Sequence, residues 1–178
     1  SMKESPEMLN MQAIKLSSKG EYPEAIACIK RALTIQAKNH FLWYNLGITY
    51  RDAGDLDQAK ESLLTAHKLA PEDEDTIETL AHICFMQSNY EEALAFCNNG
   101  LSVNDLNPRF WNNTGVIYFS KGEYEEACSA FEKAVTIDPN YYDAVFNLRD
   151  TYEQLGNTNG TIECVNRLKS IPNGDIHA

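Results

Sequence analysis

Asn45, Asn113 and Asn147 interrupt three otherwise apolar stretches, FLWYNLGITY (41–50), RFWNNTGVIY (109–118) and DAVFNLRDTY (143–152). A carboxamide carries both a donor and an acceptor, the pair that an extended peptide backbone requires for recognition. Each such bond contributes about 0.5–1.5 kcal/mol net. Three fall short of the roughly 8 kcal/mol that micromolar binding needs, so apolar anchors must supply the rest.

The other groups capable of chemistry form no site. The four histidines, His40, His67, His82 and His177, are scattered, and none sits in a nucleophile motif with Cys or Ser. The five cysteines, Cys28, Cys84, Cys97, Cys128 and Cys164, show neither CxxC nor zinc spacing with histidine. They read as small apolar fillers in a reducing compartment. PEDEDTIE (71–78) has the acidity of a calcium loop but lacks its third ligand position and turn glycine. It reads instead as an acidic first turn of a helix, favoured by the helix dipole. SKGEYEEA (120–127) sets Gly beside Lys, yet reads as a turn between helices rather than a phosphate loop. No catalytic residue, metal or cofactor is expected.

Composition limits the remaining classes. The chain has 178 residues, 43% of them hydrophobic and 23% charged, with a formal charge of −11. That charge argues against nucleic acid, where Lys and Arg must neutralise phosphates, and favours a basic or apolar protein partner. No apolar run is long enough to span a bilayer, so no direct membrane insertion is expected. No secretory leader is visible, and the expected location is cytoplasmic. Ser1-Met2 reads as a tag remnant.

These residues are positioned by a period of 34. Trp43 and Trp111 lie two periods apart, as do Gly47 and Gly115. Tyr50, Tyr118 and Tyr152 keep the same frame, as do Ala25, Ala59, Ala93 and Ala127. Ala32, Ala66 and Ala134 mark a second small position, with Gly100 in the third repeat, and Pro71 and Pro139 close two repeats. Blocks at 6–39, 40–73, 74–107, 108–141 and 142–175 align without insertion, so a single domain over 6–175 is expected. Residues 1–5 are expected to be a tag remnant or leader, and 176–178 a tail.

Each block reads as a helical hairpin. In the second, Leu42, Leu46 and Tyr50 recur at helical spacing before Gly54-Asp55 breaks the pattern. Gly54 suits the left-handed position past a helix end, and Asp55 with Gln58 forms a capping-box signature. Ala59, Leu63 and Ala66 then carry the second helix to Pro71, which cannot continue it. Small residues permit close approach between helices, and no hairpin buries its apolar face alone, so stacked neighbours must make the core.

The set W-Y-N-L-G-I-T-Y with Ala59, Ala66 and Pro71 resembles the tetratricopeptide repeat. So does Trp111, Gly115, Tyr118, Ala127, Phe131, Ala134 and Pro139. The resemblance implies an all-α, right-handed superhelical solenoid of about five antiparallel helix pairs, with a concave groove lined by the first helices. It also implies binding of a peptide or partner protein in that groove.

The family's groove positions, whose spacing places them on one helix face, fall in the second repeat on Phe41, Tyr44, Asn45, Ile48 and Arg51. In the third they are Asp75, Glu78, Thr79, His82, Phe85 and Met86. In the fourth they are Arg109, Asn112, Asn113, Val116 and Phe119, and in the fifth Asp143, Phe146, Asn147, Asp150 and Glu153. Some chaperone-binding members clamp a peptide carboxylate with Lys, Arg and Asn. The matching positions here are Asn10, Ile14, Asn45, Asp75 and Thr79, or in the next frame Tyr44, Ile48, Thr79, Arg109 and Asn113, and they fit that clamp poorly. Block 74–107 holds Glu74, Asp75, Glu78, Glu91, Glu92 and Asp105 and no Lys or Arg, so a ligand with basic and apolar side chains is expected.

Departures from the pattern mark the C-terminal end. Arg149 and Thr161 replace Gly and Ala in the fifth block, and NTNG (157–160) predicts a second helix that starts late or frays. Ile162, Val165, Leu168 and Ile171 predict an apolar stripe with almost no chain left to cover it. The expected function is a non-catalytic scaffold binding a protein segment in its groove. The alternatives are a module that self-associates through its C-terminal end, and the substrate-recruiting domain of a larger enzyme.

Overall fold

The computed structural model describes residues 4–172. Residues 1–3 of the expected leader, 173–175 of the last block, and the 176–178 tail with His177 lie outside the described residues. Regular structure among the described residues is helical throughout. The first helices of the repeats are α1 (Pro6–Ser18), α3 (His40–Asp52), α5 (Glu74–Met86), α7 (Pro108–Ser120) and α9 (Tyr142–Gln154). The second helices are α2 (Tyr22–Ile35), α4 (Leu56–Leu69), α6 (Tyr90–Val103), α8 (Tyr124–Ile137) and α10 (Thr158–Ser170). Both series therefore advance by one start every 34 residues. This is an all-α helical repeat fold, as the sequence predicts.

Polar residues set the starts. The side chains of Ser5, Asn39, Asp55, Asp73, Asn89, Asn107 and Asn157 each accept a hydrogen bond from a first-turn backbone N–H. Each satisfies a donor that the helix itself cannot. Asp55 accepts from the Gln58 amide at 3.1 Å, as the capping signature requires. Pro6, Pro23 and Pro108 occupy first-turn positions where a missing N–H costs nothing.

The chain divides into two compact units, meeting in sequence at Gln87 and Ser88. In the first, α2 packs on both α1 and α3, and α4 on both α3 and α5. Leu9, Ile29, Leu33, Leu42 and Leu46 are buried between α1, α2 and α3, around the small residues Ala13, Ala25 and Ala32. In the second, α7 packs on α6 and α8, and α9 on α8 and α10. Its core joins Phe131, Val135, Val145, Leu148, Cys164 and Ile171.

The turn inside each hairpin needs a left-handed residue. Gly54 supplies it with φ of 89°, and Ser88, at the same register, is the one non-glycine residue with positive φ among those described, at 60°. A side chain there costs roughly 1–2 kcal/mol, partly offset by the extra freedom glycine has when unfolded. Ser88→Gly is therefore expected to raise the urea midpoint, by about 0.5–1 kcal/mol of stability. A lowered midpoint would show that the serine hydroxyl outweighs the backbone strain.

Two expectations about the C-terminal end are corrected. Helix α10 begins at Thr158, in register with the other second helices, because Asn157 caps it by accepting from the Gly160 amide at 2.9 Å. Gly160 also lies against Tyr152, whose ring carbon a Cβ there would approach to 2.7 Å. The expected apolar stripe is divided. Ile171 is buried in the core and Leu168 packs against it, leaving Ile162 as the strongly exposed member.

Candidate functional site

In the N-terminal unit the proposed binding positions lie on α1, α3 and α5. Phe41 is 66% exposed and its ring lies 4.0 Å from that of His40. Tyr44, Ile48 and Arg51 are half-buried, as is Glu78. Asp75 and Met86 are exposed and Phe85 is half-buried. Thr79 is buried, with its hydroxyl donating to the Asp75 carbonyl at 2.8 Å, so it serves its own helix before any ligand. Asn45 is half-buried, and its Nδ2 donates to Asn10 Oδ1 of the preceding repeat at 2.9 Å.

The C-terminal unit repeats that bond. Asn147 Nδ2 donates to Asn112 Oδ1 at 3.1 Å, and Asn112 Nδ2 reaches the Tyr141 hydroxyl at 3.5 Å. Asn112 is buried, 6% exposed, and holds both bonds within the C-terminal unit. Arg109 is exposed, whereas Asn113, Val116, Phe119, Asp143 and Asp150 are half-buried. Glu153 is exposed. Phe146 is 37% exposed and carries the Arg149 guanidinium 4.3 Å from its ring centroid.

The amide pairs follow a rule that residue-by-residue alignment hides. Both link residues one period plus one apart, Asn10 with Asn45 and Asn112 with Asn147. In both pairs, therefore, the amide of one first helix meets the residue one position earlier in the register of the preceding one. A search for amides at a spacing of 35 finds both pairs. The indole N–H groups follow a second rule: Trp43 donates to the Ala37 carbonyl at 2.8 Å and Trp111 to the Asp105 carbonyl at 3.0 Å. Each Trp thereby ties its helix to the loop that precedes it.

Among the perturbed titratable groups are His82 and a cluster around Glu132. His82 sits below the usual imidazole range because partial burial disfavours its cation and the Arg51 guanidinium repels it. The unfolded chain therefore takes up a proton at His82 before the folded one does. The sign follows: stability is retained above the ordinary imidazole value and lost as pH falls through it. His82→Gln is expected to flatten the decline in urea stability just below that value, and an unchanged slope would refute this assignment. On α8, Glu132 Oε1 accepts from Cys128 Sγ at 3.2 Å and from Tyr152 Oη of α9 at 2.8 Å. Burial, then the bond to Glu132, pushes the Cys128 thiol up to about 12, and the Tyr152 hydroxyl also rises. This cluster holds its protons at neutral pH and offers no activated nucleophile.

No helix among the described residues is long and apolar enough to cross a membrane. The profile of the tetratricopeptide repeat matches residues 40–73 and 108–141. The TPR repeat-containing protein MJ1428 of Methanocaldococcus jannaschii is 22% identical over 164 residues, covering 86% of this chain and 29% of that protein. The chain spans less than a third of the first curated relatives it matches. Among solved structures, MamA 41-end from Desulfovibrio magneticus RS-1 superposes with a TM-score of 0.81 at 17% identity, covering 96% of this chain and 97% of that one. YrrB, a TPR protein with an unusual peptide-binding site, gives 0.69 at 22% identity, covering 93% and 85%. At these identities the structural likeness speaks for the fold alone.

Proposed function

We propose, because the chain belongs to the tetratricopeptide-repeat family, that it is a non-catalytic scaffold binding a basic and apolar segment of a partner protein on the first-helix faces of its repeats. The tetratricopeptide fold supports a protein–protein interaction scaffold in general, and proteins with it are typically non-catalytic. The more specific reading rests on one observation. Phe41, Met86 and Phe146 are exposed apolar residues at the expected binding positions of their first helices, and Met11 and Ile14 are exposed on α1, the first helix of the first repeat. Exposed apolar groups gathered on one kind of surface mark an interaction site.

Interleaved with them are Asn45 and Asn147, each with one N–H committed to its neighbour and a carbonyl oxygen outside that bond. Apolar anchors and polar groups that fix orientation are the usual parts of a peptide site. The charge of −11 supports a basic partner over nucleic acid, and the free thiols fit a reducing, cytoplasmic setting. YrrB offers a relative by fold whose peptide-binding site has been described.

Short random peptides displayed on phage and selected on the wild-type protein supply the test. Selected peptides are expected to bind Phe41→Ala/Phe146→Ala at least about tenfold more weakly. They should bind Leu64→Ala, an exposed second-helix change, as well as wild type. Binding should also weaken as sodium chloride is raised. Equal affinity for the double variant and wild type would overturn the proposal.

A further inference from the structure

Helices α7, α8 and α9 enclose a small pocket of about 80 Å³ on the first-helix face of the C-terminal unit. Val116, Phe119 and Phe131 form its apolar side, and Ser120, Asn147 and Asp150 its polar side. The polar side is biased toward accepting hydrogen bonds. Asn147 spends an N–H on Asn112, and that bond does not use Asn147 Oδ1. Arg149 donates to Asp150 from Nε at 3.3 Å and from Nη2 at 3.1 Å, and both bonds fall on Oδ1. Neither involves Asp150 Oδ2.

We propose that this pocket receives a lysine side chain of the partner segment, a site that rests on the first-helix faces being the binding surface. The methylenes lie against Val116 and Phe119, and the ammonium bridges Asp150 Oδ2 and Asn147 Oδ1. Lysine buries its stem along apolar surface while its charged head stays in polar surroundings. Arginine fits less well, because its planar fork gains most from both oxygens of one carboxylate. Arg149 already holds one of those oxygens. A compact ammonium needs only one oxygen from each acceptor. An acidic side chain meets Asp150 with like charge, and a purely apolar one strips water from the carboxylate without replacing it.

The test is a double-mutant cycle between protein and peptide. Peptides selected from the phage-displayed random library on wild-type protein are synthesised, and each lysine is replaced in turn by norleucine and by arginine. Affinities are measured on wild type and on Asp150→Asn, whose thermal unfolding is checked against wild type. In each peptide, one norleucine replacement is expected to weaken binding about tenfold on wild type and to cause almost no further loss on Asp150→Asn. Arginine at that position is expected not to restore the affinity. Equal norleucine losses on both proteins, or full retention with arginine, would overturn the lysine assignment. If the peptides still lose affinity on Phe41→Ala/Phe146→Ala, the binding face stands while the lysine pocket falls. If no peptide is selected, or that double variant binds normally, both fall together.

Discussion

Phe131→Ala is expected to cost about 3–5 kcal/mol of unfolding free energy, read as a large fall in the urea midpoint. Phe131 is 1% exposed, and a Cβ on Gly115 would come within 2.5 Å of its ring. The ring fills the space that the missing side chain of Gly115 leaves. Truncation opens a cavity that glycine has no atoms to refill, so the lost transfer energy and the cavity cost add. The second repeat supplies an internal control, because Leu63 and Gly47 occupy the same two positions there. A Cβ on Gly47 would meet Leu63 Cγ at 2.6 Å. Phe131→Leu therefore recreates a pairing that the fold already uses, and its cost should be well below that of alanine. If leucine and alanine prove equally damaging, the pairing is not what sets the stability of this contact.

Gly100→Ala is the second large effect, expected to cost about 1–3 kcal/mol by overpacking. A Cβ at Gly100 would sit 2.4 Å from Phe110 Cε1, and Phe110 is fully buried. The first and second repeats again offer a comparison, since Ala32 and Leu42 hold the equivalent positions and are buried in one cluster. Adding Phe110→Leu to Gly100→Ala should recover most of the loss, making the pair strongly non-additive. The check is the coupling energy from urea unfolding of the four proteins. Simple additivity would show that the two side chains do not compete for the same space.

Much of this architecture is legible in the chain alone. Trp43 with Trp111, Gly47 with Gly115, and the alanine series at 25, 59, 93 and 127 announce a repeat of 34 residues. The helices duly begin on that step. The turn glycines and capping residues were equally readable, since they act through local backbone geometry. The poor helix propensity of NTNG predicts a late start for α10, whereas Asn157 works as a cap and Gly160 lies against Tyr152. The candidate binding face was readable as a set of positions, but not as a set of available groups. Asn112 shares the residue type and spacing of a binding group, yet it is 6% exposed and bonded within the stack.

The sequence by itself determined the period and most of the helix starts, because these depend on residue type at fixed local spacing. Tertiary structure alone decided that Asn45 and Asn147 bond to the preceding repeat. It alone revealed why Gly100 stands where the first, second and fourth repeats carry alanine, since the answer is the ring of Phe110. It also divided the acceptors around Asp150 into one oxygen held by Arg149 and one outside that pair. Each of these depends on how neighbouring helices are offset and how closely they approach, and that is set by the summed packing of residues far apart in the chain.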